Sequence, residues 1–139
     1  MEMIVFAGLP GSGKSTYYKE HYFNTHLRIS NDLLKTKNRT KRLLDFCKET
    51  EMSFVVDNTC TTKNVRKQFL DFCETIDGEV KKICIYFDTP VEVCIERNEK
   101  RKGPDKVPVA AIFHKLKEFE IPEIEEGFDE MIVIKTEAK

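Results

Sequence analysis

The chain is 139 residues long, 40% hydrophobic and 34% charged, with a formal net charge of −1, which suits one soluble globular domain around one core. Nothing in it approaches the ~20 consecutive apolar residues of a membrane span, and no leader stands before the first apolar run, so neither a membrane nor a secreted protein is expected. The five cysteines (Cys47, Cys60, Cys73, Cys84 and Cys94) form no Cys-x-x-Cys pair, which argues against zinc and redox motifs and for small buried hydrophobes in a reducing cytoplasm.

In chain order, the apolar run Met3–Ala7 predicts a first strand. It runs straight into Gly8-Leu9-Pro10-Gly11-Ser12-Gly13-Lys14-Ser15, a complete Gly-x-x-x-x-Gly-Lys-Ser phosphate-binding loop. Glycines let the backbone curl so that successive N–H groups point inward at a polyphosphate. Lys14 adds a positive charge for the outer phosphates, and the Ser15 hydroxyl suits the Mg²⁺ that travels with them. The helix predicted from Lys14 to about Phe23 contributes its positive dipole end. Gly8, Pro10, Gly11, Ser12, Gly13, Lys14, Ser15 and Thr16 are thus the predicted residues for binding a nucleoside triphosphate.

Leu27-Arg28-Ile29 reads as a short second strand, and Ser30 or Asn31 can cap a helix through Asp32 and Leu34. Leu43, Leu44, Phe46 and Cys47 give Thr40–Thr50 helical spacing, and Phe54-Val55-Val56 is a buried strand ending at Asp57. Thr61 or Thr62 opens an amphipathic helix with Val65, Phe69, Leu70, Phe72, Cys73 and Ile76 on its apolar side. Asp77-Gly78 turns into the strand Lys82–Phe87, and Pro90 starts a helix running from Val91 to about Lys100. The charged loop Arg101–Val107 precedes a helix that Pro108 opens and that ends near Phe119; Met131–Ile134 makes the last strand. This alternation predicts an α/β P-loop-type sandwich, a central and mainly parallel five-stranded sheet with helices on both faces. Ligands of such sheets bind beyond the carboxyl ends of the strands, which puts Gly8–Ser15, Asp32, Asp57 and the residues after Asp88 on one edge.

Charge is unevenly spread. Residues 118–139 hold eight acids against Lys135 and Lys139, a net of −6, so residues 1–117 carry +5. A basic body permits an anionic polymer as substrate without demanding one. Within that body Lys35, Lys37, Arg39, Lys41 and Arg42 follow closely on Asp32, as a solvated helix end or as a surface that tracks phosphates. The three histidines, His21, His26 and His114, have no metal-ligand spacing and read as structural.

A phosphate-binding loop alone serves switches, motors and kinases alike, so the acceptor side decides. Asp32 lies just past the second strand, where a carboxylate either sits in the first turn of a helix or takes the proton from an attacking hydroxyl. Asp57 closes a hydrophobic strand, an arrangement that holds Mg²⁺ through water, and Asn58 and Thr59 follow it toward the ligand edge. Arg97 and Arg101, four apart, face one way on a helix leading into a Lys-Gly-Pro loop, either as a lid that neutralises a transferring phosphoryl group or as a solvated face beside Glu96 and Glu99.

Taken together, Gly8-x-Pro10-Gly11-Ser12-Gly13-Lys14-Ser15, Asp32, Val56-Asp57-Asn58-Thr59, Arg97-Asn98 with Arg101, and Val107-Pro108 resemble the 5′-hydroxyl polynucleotide kinases, most closely the kinase domain of the bacteriophage end-healing enzyme. The resemblance runs in order from about residue 3 to Glu126-Gly127-Phe128. It implies one P-loop kinase domain over 1–139 that moves the γ-phosphate of ATP, with Mg²⁺, to the 5′-hydroxyl end of RNA or DNA. Lys14 and Ser15 would hold the triphosphate and metal, Asp57 the metal and acceptor side, and Asp32 would be the general base. Arg97 and Arg101 would form the lid, with Arg101 the transition-state contact; Lys35, Asp57, Asn58 and Thr59 would bind the acceptor.

Two departures stand out. Ser30-Asn31-Asp32 replaces the phage pattern Asn-Arg-Asp, and Lys35 replaces an arginine that grips the acceptor phosphate, keeping charge but losing the bidentate fork. The Asp-x-Asp-x-Thr motif of the phage phosphatase domain does not occur, so kinase activity without phosphatase activity is expected, with any phosphatase or ligase supplied separately. Rival readings are a P-loop kinase of a small acceptor (nucleoside, sugar acid or other metabolite) and a nucleotide-gated adaptor that transfers nothing.

Overall fold

In the computed structural model, which describes residues 1–137, strands and helices alternate along the chain. The strands are β1 (Glu2–Ala7), β2 (Leu27–Ile29), β3 (Phe54–Val56), β4 (Lys81–Asp88) and β5 (Glu130–Lys135). The helices are α1 (Lys14–His21), α2 (Asn31–Leu34), α3 (Lys37–Thr50), α4 (Lys63–Glu74), α5 (Val91–Glu99) and α6 (Val109–Glu118), with 3-10 turns at Gly103–Asp105 and Ile124–Glu126. The strands pair in the order β2-β3-β1-β4-β5, every pairing parallel, which is the sandwich expected from the sequence.

β1 lies mid-sheet and is buried on both faces, which is why it reads as an unbroken apolar run rather than an alternating one. Met3, Val5 and Ala7 point into a core shared with Cys47 of α3 and Leu70 and Cys73 of α4. Ile4 and Phe6 point the other way, against Tyr18 of α1. At about 1.5–3 kcal/mol for each large side chain buried, this strand anchors both cores. A third cluster of Leu9, Cys94 and Ile112 packs the phosphate loop onto α5 and α6.

Two helix boundaries differ from expectation. α1 stops at His21, short of Phe23, whereas α3 begins at Lys37 rather than Thr40 because the Thr36 hydroxyl caps it, accepting from the Arg39 N–H at 3.1 Å. Lys37, Arg39, Lys41 and Arg42 therefore occupy the opening turns of α3, with no acid in the first turn. Lys37 and Arg39, in the first turn, each oppose the positive end of the helix by about 0.3–1 kcal/mol.

Sequence patterning also missed Arg66, which is wholly buried in α4. Its guanidinium donates to Glu126 (2.8 and 3.1 Å) and to the carbonyls of Cys60 (2.8 Å) and Glu120 (2.9 Å). A buried charge is tolerable only with such full pairing, and here it ties α4 to the segment before β5.

Candidate nucleotide and acceptor site

The loop after β1 is built around an inward-turned lysine. Lys14 is buried, and its Nζ donates to the carbonyls of Gly8 (3.0 Å) and Leu9 (2.8 Å) and, at 3.4 Å, to the Ser12 hydroxyl. Burial pulls its pKa from 10.5 down to about 8, although the nearby Asp57 charge pushes it up. A buried ammonium whose partners are neutral carbonyls and a hydroxyl, with no carboxylate in contact, fits an anion. Two glycines are obligatory to the curl. Gly13 has φ +100, and Gly11, at φ +83, leaves only 2.7 Å between a hypothetical Cβ and the Cys94 carbonyl oxygen. An open cavity of about 360 Å³ lies beside the loop, lined by Gly11, Ser12, Gly13 and Thr16 and bordered by Arg97 and Arg101. Arg97 is held there by donating to the Gly11 carbonyl at 3.3 Å.

Ser15 and Asp57, the two residues assigned to the metal, do meet: the Ser15 hydroxyl donates to Asp57 Oδ2 at 2.9 Å. A hydroxyl and a carboxylate are the hard oxygen donors Mg²⁺ takes when substrate phosphates and water complete its shell. Among the described residues no group of three or more His, Cys, Asp or Glu side chains could hold a metal without such help. Sequence reasoning missed the third member, Arg28 of β2, whose Nε donates to the same Asp57 oxygen at 2.7 Å and whose Nη2 lies 3.2 Å from the Ser15 hydroxyl. Strand alternation could have assigned its face, though not its partner. Ile29 is buried in the α3–α4 core, so strand alternation turns Arg28 toward the opposite face. There its strand partner Val55 packs with Tyr18 of α1.

Asp32 and Arg101 converge on this same place. With Ser15, Arg28, Leu33 and Asp105 they line an open pocket of about 320 Å³, and Arg101 borders both this pocket and the loop cavity. Asp32 is exposed on the single turn of α2. That turn starts at Ser30, but the Ser30 side chain does not cap it; the Asn58 side chain does, its Oδ1 accepting from the Asn31 N–H at 2.8 Å. Asn58, expected to touch the acceptor, therefore has its carbonyl oxygen committed to positioning the helix that carries Asp32. Thr59 similarly braces the donor loop, its carbonyl accepting from the Gly8 N–H at 3.0 Å.

The helical-face argument for the two arginines needs correction. α5 ends at Glu99, so Arg101 lies past the helix, with its Nη1 donating to the Asp105 carbonyl at 3.3 Å. The arginines meet across a cavity, not along a helix. Glu96 pairs with Lys100 instead. Asn98 between them is fully buried and grips Val107 at both ends: its Nδ2 donates to the carbonyl at 2.7 Å, and its Oδ1 accepts from the N–H at 3.0 Å. That clasp closes the intervening loop at its base.

On the far side of α2 a larger cleft of about 900 Å³ opens between α3 and α4. Asn31, Lys35, Asn58 and Thr59 bound it beside the Asp32 turn. Lys37, Lys41 and Lys115 add charge along it, and Phe69 and Phe72 supply apolar wall. Lys35 holds φ +73, a strained value for a residue with a Cβ.

Residues 3–122 match the family model described as AAA domain. Among curated proteins, the chain is 29% identical over 131 residues (91% of the chain) to a bifunctional polynucleotide phosphatase/kinase of Schizosaccharomyces pombe. It is 30% identical over 136 residues (94% of the chain) to a protein of Acanthamoeba polyphaga mimivirus named for the same pair of activities. In both cases the match covers 32% of the relative. The fold also superposes on a sugar kinase from Janibacter sp. HTCC2649, with a TM-score of 0.71 at 18% identity, covering 97% of this chain and 85% of that one.

Proposed function

Starting from the fact that the chain belongs to the AAA domain family, we propose that it is a P-loop ATP-dependent phosphotransferase acting on the 5′-hydroxyl end of RNA or DNA. One observation carries the reading: Asp32, Arg101 and Ser15 line a single pocket, with Asp57 bonded to Ser15 behind its wall, and Arg101 joins that pocket to the cavity of the glycine-rich loop.

In this reading the triphosphate lies along the Gly8–Ser15 loop against its unpaired backbone N–H groups, and the Lys14 ammonium turns from the loop carbonyls to the outer phosphates. Ser15 and Asp57 would hold Mg²⁺, which when bound would draw charge off the phosphate oxygens. Asp32 accepts the proton of the acceptor hydroxyl as its oxygen forms a bond to the γ-phosphorus, while the bond from that phosphorus to the bridging oxygen breaks toward ADP. Arg101, between the two pockets, balances the charge of the group in flight. Nucleotides beyond the 5′ end run into the α3–α4 cleft, where lysines meet phosphates and aromatic rings offer stacking surface. The names of the two curated relatives support this acceptor.

A second reading, transfer to a small hydroxylated acceptor, rests on the Asp32 pocket alone. At about 320 Å³ it has the size of a small-molecule site, and the sugar kinase shares the fold. Incubation with γ-labelled ATP and a panel of 5′-OH RNA, 5′-OH DNA, nucleosides and sugar acids separates them. The proposal expects labelled oligonucleotides, with acceptor KM rising steeply with salt. Labelling confined to a salt-insensitive small acceptor overturns it.

A further inference from the structure

Arg28 stands on the two residues assigned to the metal. Asp57 is almost fully enclosed, with a side-chain exposure of 1%, so its carboxylate needs a counter-charge at all times. Lys14 does not supply it by contact, because its Nζ is spent on Gly8, Leu9 and Ser12. Arg28 does, at 2.7 Å from Asp57 Oδ2, and it also reaches the Ser15 hydroxyl at 3.2 Å. A divalent cation taken up by that hydroxyl, with the carboxylate reached directly or through water, would lie within a few ångströms of the guanidinium and be repelled by it. The arginine also has somewhere to go. Its side chain is 29% exposed, and it borders the open pocket that Asp32 and Asp105 line, so two other carboxylates face the same space.

We infer that Arg28 is the resident counter-ion of the Ser15–Asp57 pair, that it must be displaced for a divalent cation to settle there, and that the negative charge of a bound triphosphate draws it off. This rests on reading Gly8–Ser15 as the donor site. The consequence is ordered loading: the nucleotide-free protein rejects the metal, and nucleotide and metal bind with positive coupling, each raising the affinity for the other.

The test counts Mn²⁺ bound to nucleotide-free protein, by the EPR signal of the free ion, for wild type, Arg28→Ala and Arg28→Gln. The glutamine keeps polar contact with Asp57 and Ser15 without the charge, and covers the case in which alanine fails to fold. Both folded variants should bind Mn²⁺ about tenfold or more tightly than wild type, in the usual range for such coupling. Their gain in Mn²⁺ affinity on adding a non-hydrolysable ATP analogue should be correspondingly smaller. Equal Mn²⁺ affinity across wild type and a folded variant, including binding by neither, overturns the inference. Binding of a fluorescent ATP analogue without metal is measured alongside. Wild type that takes the analogue but shows no Arg28 effect sinks this inference alone, whereas wild type that takes no analogue sinks the donor-site reading.

Discussion

The donor and acceptor halves of the site are built to opposite specifications. Lys14 is buried with its ammonium bonded to Gly8, Leu9 and Ser12, and Gly11 is packed so closely on Cys94 that one added carbon would collide. Around Asp32 the carrier is one helical turn, the carboxylate-bearing residue is exposed, and the adjoining cleft is wide and bordered by four lysines. A rigid cradle suits a ligand whose shape never varies, as a polyphosphate's does not. An open, charged cleft suits a partner that is long, varied and recognised by its backbone. In the proposed reading, the looser half of the site is therefore the half that selects the acceptor.

Substitutions on the two sides should separate accordingly. The largest effect is expected at Asp32→Asn. Transfer should fall about 10²–10⁴-fold while triphosphate affinity stays at the wild-type level, checked by single-turnover labelling beside equilibrium nucleotide binding. Loss of both together would mean the halves are not separable. A middling effect is expected from pH. The folded, nucleotide-free loop lowers the Lys14 pKa to about 8, against 10.5 for an unburied lysine. Between those values the unfolded chain holds a proton that the folded one has shed, so this residue makes the nucleotide-free protein more stable as pH rises through the window. Triphosphate affinity moves oppositely, since the ligand needs the ammonium, and should fall by up to about tenfold per pH unit above 8. Affinity that stays flat to pH 10 would refute a desolvated, phosphate-facing Lys14. The smallest effect is expected at Lys35→Arg, which restores a forked donor. Acceptor KM should drop about two- to fivefold with the KM for ATP unchanged. A shift in the ATP value instead would place Lys35 on the donor side.

Legibility followed the same divide. The loop was readable because its chemistry is local: glycines, lysine and serine act where they stand in the chain, and the alternation of strands and helices gave the sheet around them. Asp32, Asp57 and Arg101 were readable as candidates, and the fold brings all three to one edge. What stayed hidden was pairing across the chain. Nothing near Arg28 in sequence announces that it will reach Asp57, 29 residues on, and nothing around Asn58 says that its amide will cap a helix at Asn31. Arg66 looked like one more charge on an amphipathic helix, yet it is fully enclosed by partners 54 and 60 residues away. Pattern reading assigns a face to a side chain. It cannot name the partner that waits there.

The Asn98 clasp on Val107 has a mechanical corollary. By pinning both feet of the loop together, it makes the stretch between them a ring of fixed perimeter rather than a free tether. Arg97 stands outside the ring, fastened to the Gly11 carbonyl, whereas Arg101 belongs to it and is tied to its own backbone at Asp105. The two guanidiniums that border one cavity are thus anchored to different parts of the chain, one to the glycine-rich loop and one to the ring.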